Sequence, residues 1–162
     1  MSSERPAEQR ADSTMQPTQR RLPTRVPRRT LETAPFWDGC AAGRLVLPRC
    51  DECGELIWYP RLVCPFCASL SVTYTEVAGR GTVYSFTVMR RGAGPFAGVA
   101  PYVLALVQLD EGPTMFTNVV DVDPEAVTIG MSVRVVFDPA PGPAGGTGDA
   151  PVDAIPRFAP ID

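Results

Sequence analysis

Residues 50–67 read CDECGELIWYPRLVCPFC, and two cysteine pairs, Cys50 with Cys53 and Cys64 with Cys67, stand at the ends of this stretch. Two residues separate the members of each pair, a spacing that lets both thiolates on one tight turn face the same ion. Two such turns joined by a short antiparallel excursion complete a tetrahedral shell of four sulfurs. Thiolates without imidazole favour zinc, with iron of the rubredoxin type as the alternative. The stretch therefore predicts a rubredoxin-like zinc ribbon.

The predicted metal site is structural. A catalytic zinc keeps an open coordination position, whereas this shell is filled by four soft anionic ligands. The metal then stabilises a ribbon of roughly 30 residues that is too small for a core of its own. Two disulfides are the competing interpretation, and they are uncommon in the reducing cytosol where we place this chain. The fifth cysteine, Cys40, is predicted to be a packed thiol because the chain has no histidine to activate it.

Upstream of the ribbon, residues 31–43 (LETAPFWDGCAAG) predict a short helix. Thr33 is the predicted N-cap, Pro35 suits the first turn, where its missing N–H costs nothing, and Gly43 is a natural stop. One short helix cannot bury an aromatic face by itself, so the face is expected to dock on the rest of the chain or on a partner. That face carries three residues: Phe36, Trp37 and Cys40.

Residues 1–30 differ in composition from the rest of the chain. They carry seven arginines against three acids and only six hydrophobic residues. Such a segment buries too little apolar area to offset its ordering entropy, so we predict a disordered Arg/Pro-rich tail. Its arginines are dispersed rather than blocked, which favours a solvated tail over a basic arm that binds nucleic acid or an acidic partner.

Downstream of the ribbon the pattern is all-β. Residues 81–90 alternate between two faces, and further apolar stretches follow, separated by turn signals of Gly, Pro and acids. Four strands are well marked, and VDAIPRF adds a weaker fifth after a Pro/Gly/Ala linker at 139–151, which we predict to be mobile. Five short strands suit a Greek-key barrel of the OB type, with an open meander as the alternative.

The predicted fold is therefore mainly β, with a short N-terminal helix, the zinc ribbon and a five-stranded OB-fold barrel. The domains are expected to divide into 1–30, 31–76 and 77–160. We expect the aromatic residues of the predicted strands to belong to the core of the barrel. These residues are Tyr84, Phe86, Tyr102 and Phe116.

Composition excludes several functions. The 162 residues contain no histidine and no lysine, which removes histidine general-base catalysis, lysine Schiff-base chemistry and His-ligated metal. Proline and glycine number 18 and 14, a content that argues against a helical bundle. No apolar run reaches the roughly 20 residues that span a bilayer, and the start lacks the apolar region of a secretory signal. We therefore expect a cytoplasmic protein that does not associate with membranes.

An OB barrel with a zinc ribbon is a common pairing in nucleic-acid binders, so single-stranded nucleic-acid binding is the alternative function. Residues 31–138 carry seven arginines and twelve acids, a net charge of 7 − 12 = −5. Affinity for nucleic acid comes largely from cationic contacts to phosphate, which this balance opposes. A self-contained enzyme is less favoured still, because no nucleophile–base pair and no phosphate loop followed by a helix is visible.

The order of motifs resembles the DUF35 family of zinc-ribbon/OB-fold proteins. The resemblance rests on PFWDG, LPRCDECGELIWYPRLVCPFC, GRGTVYSFTV, PYVLALVQLDEG, IGMSVRVVF and a final IPRF, and it covers about residues 31–160. Members of this family are non-catalytic partners of thiolase-fold enzymes, including acyltransferases and lipid-transfer-type thiolases or aldolases. Some are fused or bound to MaoC-like enoyl-CoA hydratases. The resemblance thus implies an accessory subunit that helps to form or stabilise an acyl-CoA site.

The same resemblance suggests roles for individual residues. The four cysteines of the ribbon match the metal ligands of the family, and Phe36 and Trp37 match its N-terminal aromatic pair, which we expect at a partner interface. Arg90 and Arg91, at the mouth of the loop 90–100, are candidates to pair with the phosphates of a coenzyme A ester shared with the partner, because arginine offers a planar bidentate fork. Phe96 is the candidate apolar anchor of that loop.

Overall fold

A computed structural model describes residues 22–140 and 153–161 of the chain. The described residues form one α-helix and seven β-strands, with single 3-10 turns at Gly94–Phe96 and Pro124–Ala126. The elements are α1 (Ala34–Ala41), β1 (Val46–Cys50), β2 (Val72–Glu76), β3 (Arg80–Met89), β4 (Tyr102–Leu109), β5 (Thr114–Val119), β6 (Ser132–Pro139) and β7 (Ala154–Pro160).

Helix α1 begins and ends close to the predicted positions. Thr33 is the N-cap, but its side chain makes no capping bond to the helix, since its hydroxyl accepts from the Thr30 N–H at 2.9 Å instead. Pro35 lies in the first turn. Gly43 takes a positive φ of 71°, the left-handed conformation that ends many helices and that glycine adopts without a Cβ clash. The helix is thus bounded by residues whose backbone preferences suit both ends.

The ribbon is a small sheet of two antiparallel strands. β1 pairs with β2 from Val46 opposite Glu76 to Cys50 opposite Val72. The short antiparallel excursion predicted between the cysteine pairs is reduced to a single bridge between Leu56 and Arg49. The two strands therefore hold the first cysteine knuckle against the segment that leaves the second.

The barrel closes in the order β3-β4-β5-β7-β6. Antiparallel ladders join β3 to β4, β4 to β5 and β6 to β7, and a parallel pair, Val119 with Phe158, joins β5 to β7. The weak C-terminal segment thus forms a full seven-residue strand between β5 and β6. This five-strand closure confirms the predicted fold class and rules out the open meander.

The barrel interior is filled by side chains from every strand. Among the largest fully buried residues are Val83, Val107, Met115, Val133 and Phe158. Helix α1 and the ribbon extend the same cluster through three further side chains. These are Phe36, Leu45 and Leu47.

Two of the aromatic residues expected in the core point outward. Tyr84 and Phe116 are 62% and 64% exposed, so their prediction as core residues is wrong. Alternation along β3 buries Val83 instead of Tyr84, and the register against β4 shifts between Val83 and Ser85. Phe86 and Tyr102 are half-buried.

The described part of the N-terminal segment packs on the barrel. Leu22 is 6% exposed, and the buried guanidinium of Arg157 donates to the carbonyls of Leu22 and Pro23 at 3.3 and 2.9 Å. Arg29 pairs with Asp38 of the helix and with Asp153. Residues 22–30 therefore depart from the predicted disorder, because Arg157, distant in sequence, supplies a partner for their backbone.

The predictions of a disordered tail and of a mobile linker lie partly outside the described residues. Residues 1–21 of the predicted tail and 141–151 of the predicted linker lie outside the described residues. At the start of that linker, Pro139 pairs with Ala154 and the Ala140 N–H donates to the Asp153 carbonyl at 2.6 Å, so β6 and β7 run together to this point. Within the described ranges, no helix has the length and apolar character needed to cross a membrane.

Candidate metal centre

The four predicted ligands converge at one end of the ribbon. The sulfur atoms of Cys50, Cys53, Cys64 and Cys67 all lie within 4.8 Å of one another. The Cys50 and Cys67 sulfurs are 3.5 Å apart, and those of Cys53 and Cys64 are 3.6 Å apart. The structure therefore brings together the full set that the spacing predicts.

Matching knuckles place the two pairs. In the first, the Gly54 N–H donates to the Cys50 carbonyl at 2.9 Å, and in the second the Ala68 N–H donates to the Cys64 carbonyl at 2.9 Å. Gly54 and Ala68 both have positive φ, 77° and 61°. Each C-x2-C segment thus turns back on itself at the residue after its second cysteine, and this turn aims two sulfurs to the same side.

The sulfur geometry fits zinc. Four sulfurs bound at about 2.3 Å to a tetrahedral zinc lie about 3.8 Å from one another, close to the two sulfur separations above. Cys50 and Cys64 are buried and Cys53 and Cys67 are exposed, so the ion would sit at the edge of the ribbon with one side towards solvent. The four cysteines form the structural zinc site of a ribbon domain, with no ligand position left for substrate.

Backbone amides prepare the site for anionic sulfur. The pKa of the Cys50 thiol is lowered to about 6, chiefly because the Cys53 N–H donates to it, with the Glu52 N–H adding to the effect. The carboxylate of Asp51 ties the knuckle to the outgoing chain, since it accepts from the hydroxyls of Ser71 and Thr73 at 2.9 and 2.7 Å. Zinc binds thiolate rather than thiol, so these donors prepare Cys50 as the first anionic ligand. The pKa of Cys53 is raised to about 12 and that of Cys67 is also raised, so zinc binding has to displace the protons of these two thiols.

Cys40 stands apart from the metal ligands. It is 1% exposed on the inner face of α1, and burial raises the pKa of its thiol to about 12. It belongs to the hydrophobic cluster that also contains Leu45 and Leu47. Its surroundings are those of the packed thiol that the sequence predicts.

The aromatic pair of α1 faces inward. Phe36 is 1% exposed and its ring lies 4.7 Å from that of Trp37 and 5.5 Å from that of Trp58. Trp37 is half-buried and packs against the same cluster. The expectation that Phe36 docks a partner is therefore wrong, because the helix uses it to join the ribbon to the barrel core.

The loop residues proposed for coenzyme A have local partners. Both terminal nitrogens of the Arg90 guanidinium, Nη1 and Nη2, donate to the carboxylate of Glu125, at 2.6 and 3.0 Å, so this charge is already paired. Arg91 is exposed, and among the described residues no ion pair engages it. The ring of Phe96 is half-buried and lies 5.1 Å from the ring of Tyr102.

A cleft between ribbon and barrel encloses about 180 Å³ and is lined by Glu55, Leu56 and Phe66 on one side and by Glu111, Gly112 and Pro113 on the other. Pockets for small molecules typically measure roughly 300–1,000 Å³, so this cleft is too small for an acyl-CoA. The Glu111 carboxylate also accepts from the Ala78 N–H at 2.7 Å, a bond that links the barrel to the chain leaving the ribbon.

Sequence reasoning missed the outer face of the barrel around Tyr84 and Phe116. Alternation marks two faces of a strand without saying which is inside. A signal was present in the chain all the same, since Val83, Val107 and Met115 occupy the complementary positions and fill the interior.

Comparison with known proteins points the same way as the geometry, towards proteins that join a rubredoxin-like zinc ribbon to an OB barrel. Residues 37–73 match the family described as "ChsH2, rubredoxin-like zinc ribbon domain", and residues 74–138 match "ChsH2, C-terminal OB-fold domain". A "DUF35 domain-containing scaffold protein" of Pyrococcus furiosus is 38% identical over 57% of this chain and 68% of its own length. The chain belongs to the DUF35 family.

Two further relatives are larger or assembled proteins. The "3-oxo-4,17-pregnadiene-20-carboxyl-CoA hydratase alpha subunit" of Mycobacterium tuberculosis is 38% identical over 68% of this chain, which spans 35% of that subunit. A solved structure entitled "Ltp2-ChsH2(DUF35) aldolase" contains a chain that is 33% identical, with a TM-score of 0.68 over 83% of this chain and 98% of that one. The resemblance read from the sequence motifs is thereby confirmed.

Proposed function

We propose that this protein is a non-catalytic accessory subunit that docks on a thiolase-fold enzyme and helps to form or stabilise its acyl-CoA site. The observation that carries the proposal is the match of both domains to relatives named as scaffold proteins and to a chain of an aldolase assembly. Ribbon and barrel share one hydrophobic cluster. Four cysteine thiolates fill the tetrahedral coordination shell of the metal site. Such a unit suits binding to an enzyme better than chemistry of its own.

The acyl-CoA itself is assigned mainly to the partner. The cleft between ribbon and barrel is too small for an acyl chain with its pantetheine arm. A MaoC-like hydratase is a second candidate partner, favoured by the relatives named as hydratase alpha subunits, of which this chain spans about a third. The cytosol keeps cysteines reduced and free to bind a metal, which supports the cytoplasm as the site of action.

Single-stranded nucleic-acid binding is not favoured. Residues 31–138 carry a net charge of 7 − 12 = −5, and Arg90 is neutralised by Glu125. A protein that binds the phosphate backbone of nucleic acid gains affinity by releasing the cations condensed on it. This release needs several free cationic side chains along one groove of the protein.

Co-elution tests the proposal. The full chain is expressed together with each thiolase-like protein encoded in the same genome, and complexes are sought by size-exclusion chromatography with light scattering. We expect one of these enzymes to elute with the chain in a fixed ratio and to gain thermal stability or acyl-CoA turnover from it. If every thiolase-like protein elutes alone, and the chain changes neither its thermal stability nor its acyl-CoA turnover, the proposal fails.

Within this proposal, Arg91 makes the contact to the phosphates of the shared coenzyme A ester. Arg90 can contribute a second contact only if its ion pair with Glu125 breaks. Arg91→Ala is expected to raise the KM of the partner enzyme for its acyl-CoA about tenfold, since a charge-assisted contact to phosphate contributes about 1.5–3 kcal/mol. Arg61→Ala, which removes an exposed arginine from the ribbon, serves as the control. An unchanged KM with Arg91→Ala would remove coenzyme A from the proposal and leave the accessory role standing.

A further inference from the structure

Four large apolar side chains are exposed side by side on the outer wall of the barrel. Their exposed fractions are 71% for Ile129, 62% for Tyr84, 37% for Leu106 and 64% for Phe116. We call these four residues the apolar row. Truncating such side chains would cost the described structure little, because their burial contributes nothing to the core of the barrel.

The row crosses the strands. Leu106 of β4 lies directly opposite Phe116 of β5 and opposite Ser85 of β3, the neighbour of Tyr84. On the far side of β3, the Gly130 N–H donates to the Val83 carbonyl at 2.8 Å, which brings Ile129 beside Tyr84. Neighbouring strands are about 4.8 Å apart, so three steps make a row about 15 Å long.

The wall around the row is uncharged. No Asp, Glu, Lys or Arg occurs in residues 81–89, 102–109 or 114–119, although charged residues make up 20% of the chain. Interface centres are depleted of charge and enriched in aromatic residues in the same way. The composition of these strands therefore matches a surface that is covered in the working protein.

One end of the wall carries unbalanced positive charge. Arg80 and Arg134 are register partners on β3 and β6, and both are exposed on the same side of the sheet as Tyr84. Like charges directly opposite each other destabilise a sheet. The backbone N–H of Asp110 donates to the backbone carbonyl of Arg80 at 3.0 Å, so this bond leaves the guanidinium of Arg80 unpaired. Within the described part of the chain, no ion pair engages the side chain of either arginine. An anionic group on a partner would relieve this arrangement.

We propose that the apolar row is the docking face for the thiolase-like enzyme, whose matching surface has an uncharged apolar centre and carboxylates at the edge that faces Arg80 and Arg134. The inference rests on the proposed function and names the surface that performs it. Tyr84 and Phe116 supply the rigid aromatic anchors, a class of residue that dominates the energetics of interfaces. The two arginines lie at the rim, where charges set the association rate and the orientation of docking.

Two other occupants fit the face less well. A single strand of nucleic acid would stack on the aromatic rings, but residues 81–89, 102–109 and 114–119 carry no cation, so its phosphates would lack cationic partners along most of the row. A second copy of this chain would present the same arginine pair again, so the charges at the rim would repel.

Binding of the full chain to the enzyme that co-elutes with it tests the docking face. The double substitution Tyr84→Ser with Phe116→Ser is expected to weaken the complex about 30-fold or more, the effect of losing a hot-spot residue. Arg80→Glu with Arg134→Glu is expected to slow association and to reverse its dependence on salt. The matched control is Leu62→Ser with Leu70→Ser, which removes two exposed apolar side chains from the ribbon. Zinc content and melting temperature verify that every variant is folded.

The outcomes separate the two proposals. If the wild-type chain binds but the Tyr84/Phe116 variant binds equally well, or only the Leu62/Leu70 control is weakened, the docking face is overturned and the accessory function survives. If no thiolase-like enzyme binds the wild-type chain, both fall. Loss of single-stranded DNA binding or of self-association in the Tyr84/Phe116 variant would assign the row to that occupant and overturn the proposal.

Discussion

At the scale of single residues, the metal ligands and the buried thiol are five copies of one side chain with opposite requirements. The ligand thiols need to lose their protons, and the N–H of Cys53 lowers the pKa of Cys50 towards that state. The Cys40 thiol is held neutral because burial penalises its anion. Backbone hydrogen bonding at the first knuckle thus prepares Cys50 as an anion, whereas the pKa of Cys53 is raised to about 12, as is that of Cys40. What separates Cys53 from Cys40 is therefore its position among the other ligand sulfurs, where a metal ion can replace its proton.

Removal of one buried ligand tests the structural zinc. Cys64→Ser is expected to abolish zinc binding and to unfold residues 44–76, because the ribbon depends on a metal contribution of about 10–16 kcal/mol of the kind measured for zinc-finger peptides. Metal analysis and amide hydrogen exchange check this. Cys40→Ala, another buried cysteine outside the metal site, is expected to keep one zinc per chain. Metal-free protein that retained full thermal stability would contradict the structural assignment.

The raised pKa of Cys40 predicts a dependence of stability on alkaline pH. The folded thiol keeps its proton up to about pH 12, whereas the unfolded thiol loses it near its ordinary pKa of 9.0. The stabilising contribution is therefore complete below pH 9 and declines as pH rises towards 12. We expect the free energy of unfolding to fall more steeply above pH 9 than in Cys40→Ala, by about 1 kcal/mol per pH unit. Parallel slopes for the two proteins in denaturant titrations would contradict the neutral buried thiol.

At the scale of elements, β3 and β4 approach so closely that one position admits only glycine. A Cβ built on Gly81 would lie 2.2 Å from the Gln108 carbonyl oxygen on β4, a backbone atom that cannot move aside. Gly81 also pairs with Val133 of β6, so strands constrain it on both sides. The tight approach helps to close the barrel at this end.

Gly81→Ala is therefore expected to lower the free energy of unfolding by about 3 kcal/mol or more, within the range of substitutions that force strain into a packed structure. Thr82→Ala, at the exposed neighbouring position, is the control and is expected to change it by about 0.5 kcal/mol or less. Chemical denaturation measures both. Equal stability of the two variants would mean that β3 and β4 can separate at little cost.

Local patterns in the sequence predicted the elements that depend on local chemistry. The cysteine spacing predicted the ribbon, Pro35 and Gly43 bounded the helix, and apolar alternation located the strands of the barrel. Those signals work because turn geometry and backbone preferences act between residues that are near in the chain.

The features that escaped prediction depend on distant partners. Tyr84 and Phe116 face outward because Val83 and Met115 fill the interior, which only the closed barrel decides. The inward position of Phe36 requires Trp58 on the ribbon. A pattern within one segment cannot report what the rest of the chain will place against it.

At the scale of the whole molecule, one arginine of the last barrel strand holds the N-terminal end of the described chain against the barrel. Arg157 of β7 is 2% exposed, pairs with Asp138 of β6 at 3.2 Å, and donates to the Leu22 and Pro23 carbonyls. Burial lowers the pKa of its guanidinium, against which Asp138 acts. The N-terminal segment thus replaces part of the water that a buried cation loses.

Arg157→Met keeps much of the side-chain volume but removes the charge, so Asp138 and two carbonyls lose their partner. We expect the free energy of unfolding to fall by about 3 kcal/mol, the usual cost of breaking a buried ion pair by removing one member. Arg134→Met, at an exposed position on β6, is the control and should change it by no more than about 0.5 kcal/mol.

Leu22→Asp should lift the same segment from the barrel by placing a charge at a site that is 6% exposed. If Arg157 holds the segment through its carbonyls, the two substitutions act on one contact, and the double variant should lose less stability than the sum of the single variants. Residues in one network show coupling of about 0.5–3 kcal/mol in such cycles, whereas independent sites add within about 0.5 kcal/mol. Denaturant titrations of the four proteins give the coupling directly. If the two losses of stability add strictly, the N-terminal segment and Arg157 stabilise the barrel separately, and the hydrogen bonds between them contribute nothing.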